Sequence, residues 1–123
     1  MISSSKKRYL FAIYELASDG KEVRCKDIAV SLKVKRPSVS KMLHFLAEDG
    51  LIDKEHYGTV HFTDLGICFG NQLYTNYLLL YAFFHENLHV SQENARRDAI
   101  VCLCELSEEC VEKVSVVKLK TSS

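Results

Sequence analysis

Tryptophan is absent from this 123-residue chain, proline occurs once and glycine five times. Net charge is absent too, because 16 Lys and Arg balance 16 Asp and Glu. That balance excludes a basic or acidic tail as the basis of function. The longest apolar run, YLLLYAFF from Tyr77 to Phe84, is far shorter than the ~20 residues of a membrane-spanning helix, so no membrane partner is expected. The opening MISSSKKRYLF lacks the apolar stretch and small-residue cleavage site of a secretory leader. Five cysteines are an odd number without a paired framework, which fits reduced thiols and a cytoplasmic setting. Nor is there a Ser/His/Asp order, a Gly-rich phosphate loop or a credible carboxylate pair, so the chain is read as no enzyme. With 47% hydrophobic and 26% charged residues, disorder is expected only at the ends.

What is present is unevenly placed. Residues 1–64 carry 11 Lys/Arg against 9 Asp/Glu, and residues 65–123 carry 5 against 7, so any contact with nucleic acid belongs to the first half. Tyr9, Leu10, Ile13, Tyr14, Leu16 and Ala17 recur at helical spacing, and SDG at 18–20 closes that helix. CKDIAVSLKV predicts a second, shorter helix with Ile28, Ala29 and Leu32 on its apolar face. Pro37 then opens a third, where its missing N–H is not needed. Val39, Met42, Leu43 and Leu46 form the stripe of that helix, closed by EDG at 48–50. LIDKEHYGTVHFT has β-formers on both sides of a turn tipped by Gly58, which predicts a two-stranded hairpin. From Asp64, a capping residue, a long helix is expected through Leu65, Phe69, Leu73, Tyr77, Leu80 and Phe84. HENLHVSQE breaks it, and two more helices follow, the last capped by Ser107.

Helix, short helix, turn, helix and hairpin is the order of a winged helix-turn-helix, whose post-turn helix enters the DNA major groove. The fold expected is therefore mainly α: a winged helix-turn-helix DNA-binding domain over residues 1–64 and a small helical dimerisation domain over 65–123. Lys35, Arg36, Ser38, Ser40 and Lys41 cluster on the first turns of the third helix, with Pro37 setting its start. Arg and Lys address guanine acceptors or neutralise phosphate, and hydroxyls donate or accept. Lys54, His56 and Tyr57 are expected to bring the wing to the flanking backbone. The competing reading is a protein-docking module with a solvated basic face.

CKDIAVSLKVKRPSVSKMLHFLAEDGLI, the wing DKEHYGTVHFTDLG and the helix that follows resemble the iron- and manganese-dependent repressors of the diphtheria-toxin-repressor type. PSVSKM is the specific part, and the likeness is strongest over residues 8–66. The resemblance implies a homodimeric repressor on a two-fold-symmetric, double-stranded DNA operator. It also implies a divalent ion, manganese, iron or zinc, between the first helix and the second half. The ligand positions of that family fall on Arg8, Phe11, Tyr77, Ile100, Leu103 and Cys104. Of these Cys104 alone retains a ligand character, so apolar packing is expected to replace the metal cavity.

Two alternatives stay open. A relocated metal site could draw on Cys104 or Cys102 with Glu105, Glu108, His85, Glu86 or His89, since His85 and His89 share a face if their helix extends that far. Redox sensing could use Cys25, Cys102, Cys104 or Cys110, of which Cys25, between Arg24 and Lys26, has the cationic setting that favours a thiolate. Against both stands the tendency of free cysteine to pack as a small hydrophobe.

Overall fold

The computed structural model describes residues 2–54 and 58–121, which form two compact units, Met1–Asn71 and Gln72–Ser123.

Unit 1 contains α1 (Ser4–Ser18), β1 (Val23–Arg24), α2 (Cys25–Leu32), α3 (Arg36–Glu48), β2 (Ile52–Lys54), β3 (Thr59–Phe62) and the start of α4 (Asp64–Ala82). The Ser3 hydroxyl accepts from Lys6 N at 3.2 Å and so caps α1. The eight residues of α2 are too few to stand alone. They are held by Ile28, wholly buried with Leu10 and Ile13 of α1 and Val39, Leu43 and Leu46 of α3. Each such side chain stabilises the fold by about 1.5–3 kcal/mol. Lys33, in the left-handed region at φ 57°, ends α2 and turns the chain toward α3.

The hairpin expected is present as the antiparallel pair β2 and β3, and a third strand joins it. β3 is central in a three-stranded antiparallel sheet of order β1-β3-β2, with Val23 opposite Val60 on one side and Asp53 opposite His61 on the other. β1 has two residues, too few to display any periodicity, and it leads straight into α2. Gly58 has a φ of +76°, as a turn tip requires. His56 and Tyr57 lie outside the described residues.

The first turns of α4 belong to unit 1, which runs to Asn71 inside this helix. Thr63, not Asp64, is the capping residue: its Oγ1 accepts from Gly66 N at 3.0 Å and donates to the Gly50 carbonyl at 2.6 Å. Asp64 occupies the first helical turn, where its charge suits the positive end of the helix. Gly70 lies against the Tyr14 ring, and Tyr14 Oη donates to Asn71 Oδ1 at 2.6 Å.

Unit 2 continues α4 and adds a π-helical turn (Phe83–Asn87), α5 (Gln92–Glu105) and α6 (Glu108–Thr121). Ser91 and Ser107 cap α5 and α6, accepting from Asn94 N and Cys110 N. Leu80, Ala95, Ala99, Leu103 and Val111 are buried. α6 inverts its hydropathy, because Ser115 and Lys118 are buried while Val116, Val117 and Leu119 face solvent.

The inward lysine is satisfied. Lys118 Nζ, on a side chain only 6% exposed, donates to Glu86 Oε1 at 2.8 Å and Asn87 Oδ1 at 2.9 Å, both on the π-turn. The hydrogen bond and charge of Lys118 hold the Glu86 carboxyl below its ordinary value of 4.5. A depressed carboxyl contributes stability that is present above the unfolded-state value and drains away as pH falls through the folded one. Glu86→Gln should therefore melt below the natural chain at pH 7, and the gap should narrow progressively as pH falls below 4.5. Thermal melts by circular dichroism across that range test this; an undiminished gap in acid would assign the effect to something other than the ion pair.

Candidate nucleic-acid interface

Lys35 precedes α3 in an extended conformation (φ −81°, ψ 149°) and has no side-chain acceptor with which to cap it. Pro37 sits in the first turn, and the Lys35 carbonyl accepts from Ser38 N at 3.1 Å and Val39 N at 3.3 Å. The positive end of the helix thus has no hydrogen bond from an N-cap side chain. Burial of Val39, Leu43 and Leu46 fixes the rotation of α3, so that Lys35, Arg36, Pro37, Ser38, Ser40 and Lys41 are all exposed.

Helical spacing sorts these residues into two rows. Arg36, Ser40 and His44 follow one another at intervals of four, while Ser38, Lys41 and Phe45 form the neighbouring row. Three cations occupy the beginning of the helix, and its first carboxylate is Glu48 in the last turn. His44 Nε2 lies 2.7 Å from Glu48 Oε1.

Two participants were not expected from sequence. His44 extends the Arg36 row by one turn, a placement that four-residue spacing alone could have flagged. Cys25 Sγ lies 3.7 Å from Ser40 Oγ, so the first residue of α2 touches a hydroxyl on the exposed row of α3. Burial, and then Cys25, pushes the Tyr9 hydroxyl up from its ordinary value. Lys54 ends β2, opposite Val60.

The metal candidates are scattered. Among the described residues no group of three or more His, Cys, Asp or Glu side chains could hold a metal ion. His85 Nδ1 donates to the Val90 carbonyl at 2.8 Å and its ring stacks on Tyr81. The π-turn ends at Asn87, and His89 has a φ of 58°, so the two histidines share no helical face. Cys104 is buried, Cys102 is half-buried, and Glu105 and Glu108 are exposed. Burial, followed by Asp98 and Cys110, pushes the Cys102 thiol up and so disfavours its thiolate.

At the other positions named by the resemblance, Arg8 is half-buried and Phe11 is buried on α1. In unit 2 the hydroxyl of buried Tyr77 accepts from Arg96 Nη1 at 2.9 Å, with the guanidinium carbon 5.7 Å from the ring centre. Ile100 is half-buried and Leu103 is buried.

Comparison with known proteins agrees with this arrangement. Residues 1–60 match the family model described as iron dependent repressor, N-terminal DNA binding domain. Among solved structures the manganese regulator SloR is 27% identical with a TM-score of 0.75, and ScaR with bound zinc is 28% identical with a TM-score of 0.73. Each is matched over 91% of this chain and 52% of its own, so the chain spans about half the length of these relatives. A hypothetical protein from Sulfolobus solfataricus shares the fold over 97% of this chain and 91% of its own, at 24% identity and a TM-score of 0.67. No curated protein matches in sequence. The fold is a winged helix-turn-helix followed by a helical unit, and the first sixty residues match the N-terminal DNA-binding domain of the iron-dependent repressors.

Proposed function

We propose that this protein is a homodimeric transcriptional repressor that places one α3 in each half-site of a double-stranded operator and does so without a bound metal. The observation that carries the DNA-binding reading is the beginning of α3, where three exposed cations and two exposed hydroxyls precede the helix's first carboxylate, Glu48, on a helix whose rotation is fixed by buried Val39, Leu43 and Leu46. Such a surface neutralises phosphates and presents donors to base edges. The match of residues 1–60 to a DNA-binding family supports it. Homodimerisation through unit 2 is supported by the apolar side chains it leaves in solvent, among them Leu88, 56% exposed, and Leu119, 59% exposed.

Metal independence rests on donor chemistry. Manganese, iron or zinc needs several carboxylate, imidazole or thiolate donors. Arg8, Phe11, Ile100 and Leu103 supply none, Cys104 is a single buried thiol, and Tyr77 already shares its hydroxyl with Arg96. This set does not fit a divalent ion, and the Arg96 guanidinium provides a permanent positive charge on α5.

Anisotropy of labelled random-sequence and selected duplexes tests both statements. Affinity should fall steeply with salt, as phosphate contacts require, and should change by less than about twofold between chelator and added manganese, iron, cobalt or zinc. Salt-independent binding or none would favour a docking module; binding only with metal would overturn metal independence.

A further inference from the structure

Unit 1 has a groove of about 460 Å³ between the N-terminal turns of α1, the end of α2 and the side of α3. Its walls are apolar: Tyr9, Leu32, Val34, Met42 and Phe45 line it. Val34 and Phe45 remain 37% and 40% exposed, so hydrocarbon is left in water where a ligand would cover it. Met42 can adapt its shape to an occupant. The size lies within the range of small-molecule sites.

The polar groups of the groove have one sign. Arg8 from α1 and Lys41 from α3 both line it, with the hydroxyl of Ser38, and no carboxylate is among its lining residues. A cavity combining hydrocarbon walls, two cations and the hydroxyls of Ser5 and Ser38 suits a molecule with an apolar body and an anionic head. A guanidinium matches a carboxylate by two parallel hydrogen bonds, and the adjacent ammonium adds a second positive charge.

Two lining residues belong to the exposed surface of α3 already described. A carboxylate in the groove would draw on the same Ser38 hydroxyl and Lys41 charge that a DNA phosphate would use. We infer that the groove between α1 and α3 is a binding site for an amphipathic monocarboxylate, and that its occupation competes with DNA. The competition rests on the DNA-binding role proposed for α3; binding itself does not, so the two are measured separately.

The first measurement uses the full chain without DNA. Decanoate is titrated by calorimetry and by chemical-shift mapping, with decanol and inorganic phosphate as comparisons. Decanoate should bind, with shifts centred on Tyr9, Val34, Met42 and Phe45, and at equal concentrations decanol and phosphate should bind at least tenfold more weakly. Arg8→Ala should weaken decanoate at least fivefold. Phe45→Ala, which removes a wall and no charge, should also weaken it. Equal binding of decanol would reduce the groove to an apolar patch, equal binding of phosphate would reduce it to an anion seat, and shifts centred elsewhere would reject it as the site.

The second measurement adds duplex DNA. Decanoate should raise the apparent dissociation constant for DNA in the natural chain, and Arg8→Ala should require at least fivefold more decanoate for the same effect. Decanoate binding in the groove with no change in DNA affinity would overturn the competition. Absence of DNA binding by a chain that still binds decanoate would reject the proposed function and leave the carboxylate site standing.

Discussion

Replacing Gly66 by alanine should destabilise unit 1 by about 3 kcal/mol, the upper end of the usual cost of forcing atoms into packed space. Alanine inside a helix is ordinarily worth about 0.5–1 kcal/mol over glycine, so propensity alone predicts the opposite sign. The collision decides it. A Cβ on Gly66 would run into the carbonyl oxygen of Leu51 and come within 2.8 Å of Phe62 Cδ1. The carbonyl cannot step aside as a flexible side chain could, because it accepts from Thr63 N at 3.1 Å while Leu51 N is tied to the Leu46 carbonyl at 3.0 Å. Gly20→Ala is the useful comparison: it meets nothing within 4 Å but has a φ of +77°, so it should cost only the ~1–2 kcal/mol of a left-handed alanine. Urea titrations followed by circular dichroism would separate the two variants. A Gly66→Ala chain as stable as the natural one would mean that α4 does not approach β2 and β3 this closely.

The same contact ties the first turns of α4 to unit 1, a tie that sequence does not display. A run of helical spacing from Leu65 onward contains nothing to mark where its burial changes owner; Thr63, Gly66 and Gly70 do so by fitting Gly50, Leu51 and Tyr14. Helices with a one-sided stripe were legible because 3.6-residue spacing and burial coincide, as at Val39, Leu43 and Leu46. α6 was legible as a helix and not as a face. Its inward residues include Ser115 and Lys118 beside Val111, and Glu86 and Asn87 supply partners that make the inward lysine favourable. β1 was hidden because its two residues become a strand only through pairing with Val60 and Thr59.

The candidate DNA surface was legible for a different reason. Its residues lie within seven positions of one another, and the buried stripe of Val39, Leu43 and Leu46, itself legible by spacing, turns them to the surface. The groove was not, since its cations come from Arg8 and Lys41 and its walls from three helices. Cys25 beside Ser40 belongs to the same class: fifteen residues separate them in sequence, and packing of α2 on α3 brings them to 3.7 Å. Local chemistry can be read along a chain, whereas a concave site exists only after folding.

Arg36→Ala should weaken operator binding by roughly 1–3 kcal/mol if its guanidinium reads a base, which is about 5- to 150-fold. The residue is exposed at the first position of α3 and in the row with Ser40 and His44, so its loss should leave stability within about 0.5 kcal/mol and the affinity change can be assigned to the contact. Arg36→Lys then separates its two roles. A lysine retains the charge for phosphate but not the rigid fork that bonds guanine twice. If Arg36 reads a base, the lysine variant should lose nearly as much affinity for the selected operator as the alanine variant, while binding random-sequence DNA as well as the natural chain does. If it contacts phosphate, lysine should restore binding to both duplexes, and alanine should lower the salt slope by about one. Ser40→Ala should have a smaller effect, because a hydroxyl offers a base a single hydrogen bond. Natural affinity in both the Arg36 and Ser40 alanine variants would remove this row of α3 from recognition and shift it to the row of Ser38 and Lys41.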